Sequence, residues 1–504
     1  MFHSFSKLYI HILTKVTVKS EYLQEKENRK RVLRFSVLLF HSALARYFFL
    51  LYYFSMMIRL RKRAIVLTAL LLSAALSSYA QQQANPESDF AFEIINNGLA
   101  VEITEYVGSN TDVRIPNEIQ NLPVTRIGDK AFVGGEWVQN GVSWTFIAGH
   151  QLTSVNIPDS VTHIGEWAFA GNRLTSVSIS DNVTHIGDQA FRDNQLTSAS
   201  IPSGITHIGY QVFAGNQLTS VNIPNSVTHI GYAAFSGNKL TSVIIPASVT
   251  RIDAWAFSLN QLTSVSIPDS VTSIGGWAFS DNQLTSVSIP RSIIRIVVHV
   301  FSNNQLTSIS IPESVTYIDL FAFANNQLTS VSIPESVTYI GHGAFADNQL
   351  TSVSIGSGVR HIGIEAFARN RLDNVSIASG ATHIEEERTD GKNQTRSRLI
   401  LYIHQTAFKD NLSISLSIGG SITHIGNFTF FRMNLRSVNL PENVTHIGNG
   451  AFGHNNLTSV NIPDSITRIG NSAFVLNELT SVSVPSGASV DPEAFDEKVD
   501  VTRR

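Results

Sequence analysis

The chain has 504 residues, 43% of them hydrophobic and 15% charged, and no cysteine, so disulfides contribute nothing to its stability. It carries 36 basic and 39 acidic residues; the first 80 residues hold 13 and 3 of these, which leaves 81–504 with 23 and 36. That acidic balance argues against a nucleic-acid groove or an anionic membrane surface as partner.

Met57 to Ala80 reads as a secretory signal peptide. Arg59, Arg61, Lys62 and Arg63 form its basic start, Ala64 to Leu76 its apolar run, and Ser78-Tyr79-Ala80 a small-x-small site with cleavage after Ala80. The run is too short to span a bilayer, so no transmembrane span is expected in the mature protein. Because such a signal starts a chain, translation is expected to begin at Met56 or Met57, with 1–56 outside the native protein. The alternative is a signal-anchor from Phe35 to Phe54, which His41 and Arg46 make unfavourable. Residues 81–89 read as a linker and 90–132 as an N-terminal capping unit.

From Leu152 onward a 22-residue unit recurs, its leading leucines at Leu174, Leu196 and so on to Leu372, then again at Leu435, Leu457 and Leu479. A fixed period of this size means a solenoid of stacked units. In the unit that starts at Leu174, the apolar residues are Leu174, Val177, Ile179, Val183, Ile186, Ala190 and Phe191. Leu-x-x-Val-x-Ile predicts a short strand with alternate residues inward, and proline after the isoleucine ends it in most units. Val-Thr-His-Ile predicts a second extended segment. Gly187 is expected to supply a positive-φ corner, with Asp253 and Asp319 tolerated there and Val297 a source of local distortion. The x-x-Ala-Phe stretch predicts a single 3₁₀-like turn. Asn172, Asn194, Asn216, Asn238, Asn260 and Asn282 form a column read as an internal amide ladder that satisfies turn backbone. One unit buries too little apolar surface to offset the ordering of its own backbone, so stacking must supply the rest.

The pattern Leu-x-x-Val-x-Ile-Pro-x-x-Val-x-x-Ile-Gly-x-x-Ala-Phe-x-x-Asn, recurring in register from about Phe90 to Asp496, resembles the BspA-like leucine-rich repeats of bacterial surface proteins. Thr111 to Pro116 and Leu122 to Gly128 also resemble that family's opening unit. Its members commonly place cysteine near the Asn172 position, and this chain departs from that. The resemblance implies a right-handed solenoid of mainly short parallel β-strands with 3₁₀ or turn corners and few α-helices. It also implies a secreted or cell-surface protein used in adhesion and protein–protein contact, without a catalytic residue.

Two insertions break the period: 133–147, with Trp137 and Trp144, and 385–403, a charged stretch before Leu399. Both are expected as loops, as recognition sites or as scars of duplication. They bracket regular repeats at 148–384, followed by repeats at 404–479 and a C-terminal cap and tail at 480–504. The outward strand residues, such as Thr175, Ser176 and Ser178, make a monotonous polar face, suited to many weak contacts or simply to solvation. The column fifteen residues after each leading leucine varies most, with Trp167, Gln189, Ala233, Trp255, Trp277, His299, Phe321, Gly343 and Glu365. Its aromatics either anchor a partner or lie flat over the next turn. A third column holds His163, His185, His207, His229, His361, His383, His424 and His446, but its Arg and Tyr members argue against a metal ladder.

No nucleophile elbow, zinc-protease helix, P-loop or dinucleotide glycine pattern occurs, and no base is consistently placed beside a hydroxyl. The sequence therefore predicts a non-catalytic binding protein without cofactor or metal. Its partners are host or bacterial surface or matrix proteins or glycans, with Trp137, Trp144, Trp167, Trp255, Trp277 and Phe321 as candidate contacts. A passive envelope or matrix component is the second reading, and an enzyme the third.

Overall fold

The computed structural model describes residues 83–140, 143–378, 380–381, 383–386, 400–404, 406–411 and 414–504, with six helical residues between 50 and 57; of 136–148 and 383–386 only the backbone is described. The signal-peptide residues 58–80 and most of 1–56 lie outside the described residues. From Ala84 to Arg504 the chain is one compact unit.

That unit is a β-solenoid. Units follow one another at the 22-residue period and pair through parallel rungs, each rung adding one short strand. The more continuous ladder is built from His-Ile pairs: His207 registers with His229, His229 with Arg251 and Arg251 with Ser273. A second ladder runs through the Val-x-Ile strands, as in Ser330–Ile333, Ser352–Ile355, Asn374–Ile377 and Ile414–Ile418. Their valines and isoleucines point inward and are buried, whereas the intervening serines face solvent. The alternation expected from sequence is thus realised by strands only two to five residues long.

A third set of backbone bonds runs through the Ala-Phe turn, and here every second N–H donates toward the following unit. Gln189 N–H donates to Tyr210 O (2.8 Å), Phe191 N–H to Val212 O (3.0 Å) and Asp193 N–H to Ala214 O (2.9 Å). The phenylalanines stack along this edge, for example Phe235 on Phe257 at 5.5 Å and 11°, and are shielded from water. Tyr106 and Phe132 begin the stack and Phe495 ends it.

Two local expectations fail. Gly187 does not take a positive φ. Glycine is needed there because a Cβ would lie 2.5 Å from Glu166 N and 2.6 Å from Gly165 C, where the preceding unit presses close. The Ala-Phe stretch is not 3₁₀: it is a pair of overlapping β-turns, closed by Ala190 N–H to Gly187 O (3.3 Å) and Arg192 N–H to Gln189 O (3.1 Å). The left-handed residue sits two positions after the glycine, where an i-to-i+3 turn of type II demands positive φ. Gln189 (59°), Trp255 (63°) and Phe321 (52°) all occupy it.

The asparagine column works as read from sequence. Asn260 Nδ2 donates to Phe235 O (2.9 Å) in the unit before and to Phe257 O (3.2 Å) in its own, while its Oδ1 accepts from Leu240 N–H (3.0 Å). Each asparagine therefore ties two units together through groups that no strand could satisfy.

The first insertion is a β-hairpin, Gly135–Asn140 antiparallel to Ser143–Ala148. The second is not simply a loop. Its end, Ile400–Ile403, pairs with His361–Ile362 and takes the rung that His383–Glu386 would otherwise fill; His383–Glu386 is placed between it and His424–Ile425. The ladder gains a strand there. At the start, Phe90–Ile95 and Ala100–Tyr106 form an antiparallel pair that covers the first parallel rung. At the other end Asp500–Arg503 pairs with Ser481–Val484, and the Arg504 guanidinium donates to Ser483 O (2.7 Å) and to Ile462 O.

Candidate functional site

The left-handed corner column combines variability and aromatic content with partial exposure, although Gln189 and Ala233 within it are buried. Its geometry follows from the ladder beneath it: because each unit hangs on the next through the turn N–H bonds, equivalent side chains are held about 5 Å apart, close to ring-stacking distance. Trp255 stacks on Trp277 at 5.1 Å and 5°, Trp277 on His299 at 5.0 Å and 15°, and His299 on Phe321 at 4.9 Å and 21°. The Phe321 ring leans over Gly343, where an added Cβ would lie 2.3 Å from its Cε1. Four consecutive units thus carry one continuous stack that ends on a glycine. Trp255, Trp277 and His299 are half-buried and Phe321 is exposed. Burial in this stack holds the His299 imidazole below its ordinary pKa, with the Asp281 charge acting in the opposite sense.

A left-handed conformation costs a side-chain-bearing residue about 1–2 kcal/mol. Stacking returns about 0.5–1.5 kcal/mol per pair, so each ring recovers much of that cost by resting on the next. The stack also decides what the rings can offer. Interior rings have both faces covered and present only their edges to solvent. Face-on stacking against a sugar is therefore closed to Trp277 and His299, whereas edge contacts and the indole N–H remain open.

Trp167 stands apart, four units earlier in the same column. Gln189 and Gln211 follow it, and Arg192 binds both amides through Nη1 (2.8 and 2.7 Å) while its guanidinium lies 5.6 Å over the Trp167 ring. Trp167 Nε1 donates to Glu166 Oε1 (3.2 Å). The side chains of Trp137 and Trp144 lie outside the described residues.

The histidine column is a surface stripe with mixed partners. His163 and His185 lie 5.8 Å apart, His207 and His229 5.5 Å, and His424 stacks on His446 at 4.3 Å. Arg295, Tyr317, Tyr339 and His361 continue it as a cation and three rings, each 4.2 Å from the next. His229 Nε2 meets Asp253 Oδ2 at 2.8 Å. Burial first, then Arg126 and His185, lower the His163 pKa. Among the described residues no group of three or more His, Cys, Asp or Glu is placed to hold a metal ion.

On the strand face, the rows of Ser332, Ser354, Asn374, Ser376, Ser417 and Asn439 line an open depression of about 730 Å³. Sequence reasoning missed three exposed features. Ile244, 83% exposed, interrupts the serine row. Leu259 and Leu476 protrude from a second left-handed column. Tyr210 and Tyr232 stack at 5.1 Å beside the corner column, and their separation by one period was the signal that could have found them.

The model of the BspA type leucine-rich repeat region, in six copies, matches residues 143–262, 184–305, 250–373 and 401–502, more than half of the chain. The chain belongs to the BspA-type leucine-rich repeat family. A leucine-rich repeat protein from Bacteroides ovatus is similar in structure, with 19% identity and a TM-score of 0.46 over 84% of this chain and 100% of that one. The pneumococcal vaccine antigen PcpA is similar at 15% identity and a TM-score of 0.41, over 84% and 98% of the two chains. A leucine-rich cell surface protein from Faecalibacterium prausnitzii shares 26% identity at a TM-score of 0.27, over 54% and 94%. No curated protein matches the chain. In this BspA-type array the structure brings Trp255, Trp277 and Phe321 together through His299, which sequence reading had not singled out, and leaves Trp167 outside the group. No helix among the described residues is long and apolar enough to cross a membrane.

Proposed function

We propose that this BspA-type protein is an exported, non-catalytic adhesive scaffold whose corner stripe, Trp255 to Phe321, binds a protein partner at a host or bacterial surface. The observation that carries the reading is the stack itself: four rings held edge-out on consecutive left-handed residues, where Gly343 shows that a side chain can be dispensed with. Strained, exposed aromatics concentrate at binding sites, and Trp and Tyr anchor protein interfaces. Because ring faces are consumed within the stack, a protein surface fits better than a sugar ring. Trp167, Trp137 and Trp144 are proposed as outlying contacts, and the polar strand face as a weaker, repeated one.

The test is solid-phase binding of the mature array to matrix proteins and to neighbouring bacteria, with the Trp255→Ala, Trp277→Ala double variant in parallel. Saturable, competed binding that falls at least about tenfold in a variant with an unchanged circular dichroism spectrum supports the reading. Full binding by that variant removes the stripe from it. Concentration-dependent self-association as the sole activity would favour a passive envelope component instead.

A further inference from the structure

The His-Ile ladder is interrupted twice between consecutive units. His185–Ile186 does not pair with His207–Ile208, and Ser273–Ile274 does not pair with Arg295–Ile296. Intact rungs carry two bonds, such as Thr228 N–H to Thr206 O (2.9 Å) and Gly231 N–H to Ile208 O (2.8 Å). At the first interruption the corresponding donors, Thr206 and Gly209 N–H, do not reach Thr184 O and Ile186 O; at the second the same holds for Ile294 and Val297.

Both interruptions precede a unit in which the column of fully buried alanines carries valine. Ala168, Ala190, Ala234, Ala256, Ala278, Ala322, Ala344 and Ala366 fill that column, and Val212 and Val300 are the exceptions within this run. The second gap also has Val297 in the glycine column, but the first retains Gly209, so the branched residue in the alanine column suffices. Two extra methyl carbons in a close-packed interior must displace something. The phenylalanine stack records the displacement. Rings next to Phe213 and Phe301 are 5.6–6.0 Å apart, against 5.1–5.5 Å for the other consecutive pairs from Phe132 to Phe408 apart from those two units.

A third branched residue, Thr429, fills the column after the second insertion. The rung before its unit, His383–Glu386, is separated from His361–Ile362 by the inserted strand Ile400–Ile403. All three branched residues therefore follow a place where the His-Ile ladder is either open or filled by an extra strand.

We propose that Val212 and Val300 are built-in seams that divide the array into three blocks, each hinged on the phenylalanine edge and lacking the backbone ladder on the histidine face, where side chains still bridge it (Tyr210 N–H to Asp188 Oδ1, 2.8 Å; Ser292 Oγ to Val271 O, 2.5 Å). The hinge side stays bonded: Phe191 N–H to Val212 O (3.0 Å) and Asn216 Nδ2 to Phe191 O (2.9 Å) cross the first seam, and Phe279 N–H to Val300 O (3.1 Å) and Asn304 Nδ2 to Phe279 O (2.9 Å) the second. On the histidine side of the first seam lies a cleft of about 450 Å³ bordered by His185, His207 and Asp188. The second seam passes under the aromatic stripe, between Trp277 and His299. Opening or closing it changes the angle between the two halves of that surface without breaking the turn ladder. The seams are a property of the packing and stand whether or not the stripe binds a partner.

Hydrogen–deuterium exchange of the full chain, followed by mass spectrometry of short peptides, tests this directly. Peptides covering 204–210 and 292–298 are expected to exchange at least about tenfold faster than the equivalent 226–232. Val212→Ala and Val300→Ala should each slow exchange at their own seam alone. Because an alanine variant could lose stability through a cavity, the reciprocal Ala256→Val is decisive. It should create a seam, accelerating exchange at Thr250 and Asp253, which now bond to Thr228 O and Ile230 O at 2.9 and 2.8 Å. Equal exchange at 204–210 and 226–232 in the unmodified protein would overturn the proposal. So would an Ala256→Val variant whose 250–253 amides stay protected.

Discussion

Trp255 and Phe257 sit two residues apart on one turn, and each belongs to a stack of rings running along the solenoid. Trp255 lies 5.1 Å from its neighbour at 5°, and Phe257 lies 5.5 Å from the next ring at 9°. The geometry is nearly the same because the same backbone bonds space both columns. What differs is the surroundings. Phe257 is fully buried, with Ala256 and Leu262 in the same core, whereas Trp255 has one side in solvent and a positive φ beneath it. The phenylalanine column is therefore compulsory, and the corner column accepts Gln, Ala, Gly, Glu and Ser as well as rings. In a repeat, stacking is offered to every column that follows the ladder; burial decides which column needs it.

The sharpest way to break the comparison is Phe257→Ala. A large cavity in a shared core should cost about 3–5 kcal/mol, while Trp255→Ala should cost about 1 kcal/mol or less. Chemical denaturation of the two variants side by side checks this, and equal losses would mean that the corner rings belong to the core. Next in size is Asn260→Ala, which leaves Leu240 N–H without its acceptor in the interior, while Phe235 O keeps the Asn238 amide as donor (3.0 Å). A single stranded buried donor costs about 1–3 kcal/mol, so this variant should rank between the two.

Much of this was legible in advance. The period, the inward residues, the asparagine ladder and the two-strand unit follow from hydrophobic spacing, because each column has one environment repeated many times. The turn was not. Gly187 and Gln189 are both consistent with a left-handed corner from sequence, and only the close approach of Glu166 N explains why the glycine comes first and the φ reversal falls two residues later. The stack from Trp255 to Phe321 was half visible: the residues were singled out, but His299 had been read as one more variant rather than as the ring that joins Trp277 to Phe321. By hydrophobicity alone, Val212 in place of alanine is a conservative exchange. Its effect is registered across the unit boundary, as a lost rung and a longer ring spacing, and no single-unit pattern carries that information.

Within the corner stack, Trp277→Gly should be close to neutral for stability. It removes two stacking contacts of about 0.5–1.5 kcal/mol each and relieves a left-handed side chain worth about 1–2 kcal/mol. A thermal midpoint within a few degrees of the parent, with the near-ultraviolet indole signal reduced, is the expected result.

The smallest effect is a pH dependence confined to the stack. His299 has a folded pKa below its unfolded value of about 6.5, because burial in the stack strips water from the protonated ring by more than the Asp281 charge compensates. Above that value the ring is neutral in both states and stability is unaffected. As pH falls below about 6.5 the unfolded chain takes up the proton first, so the native array loses stability until the folded pKa is passed, after which the loss is complete. His299→Phe keeps a ring in the stack and removes the titration. The gap in thermal midpoint between this variant and the parent should widen in the variant's favour from about pH 7 to pH 5. A constant gap would show that His299 does not resist protonation and that the stack is open enough for water to solvate it.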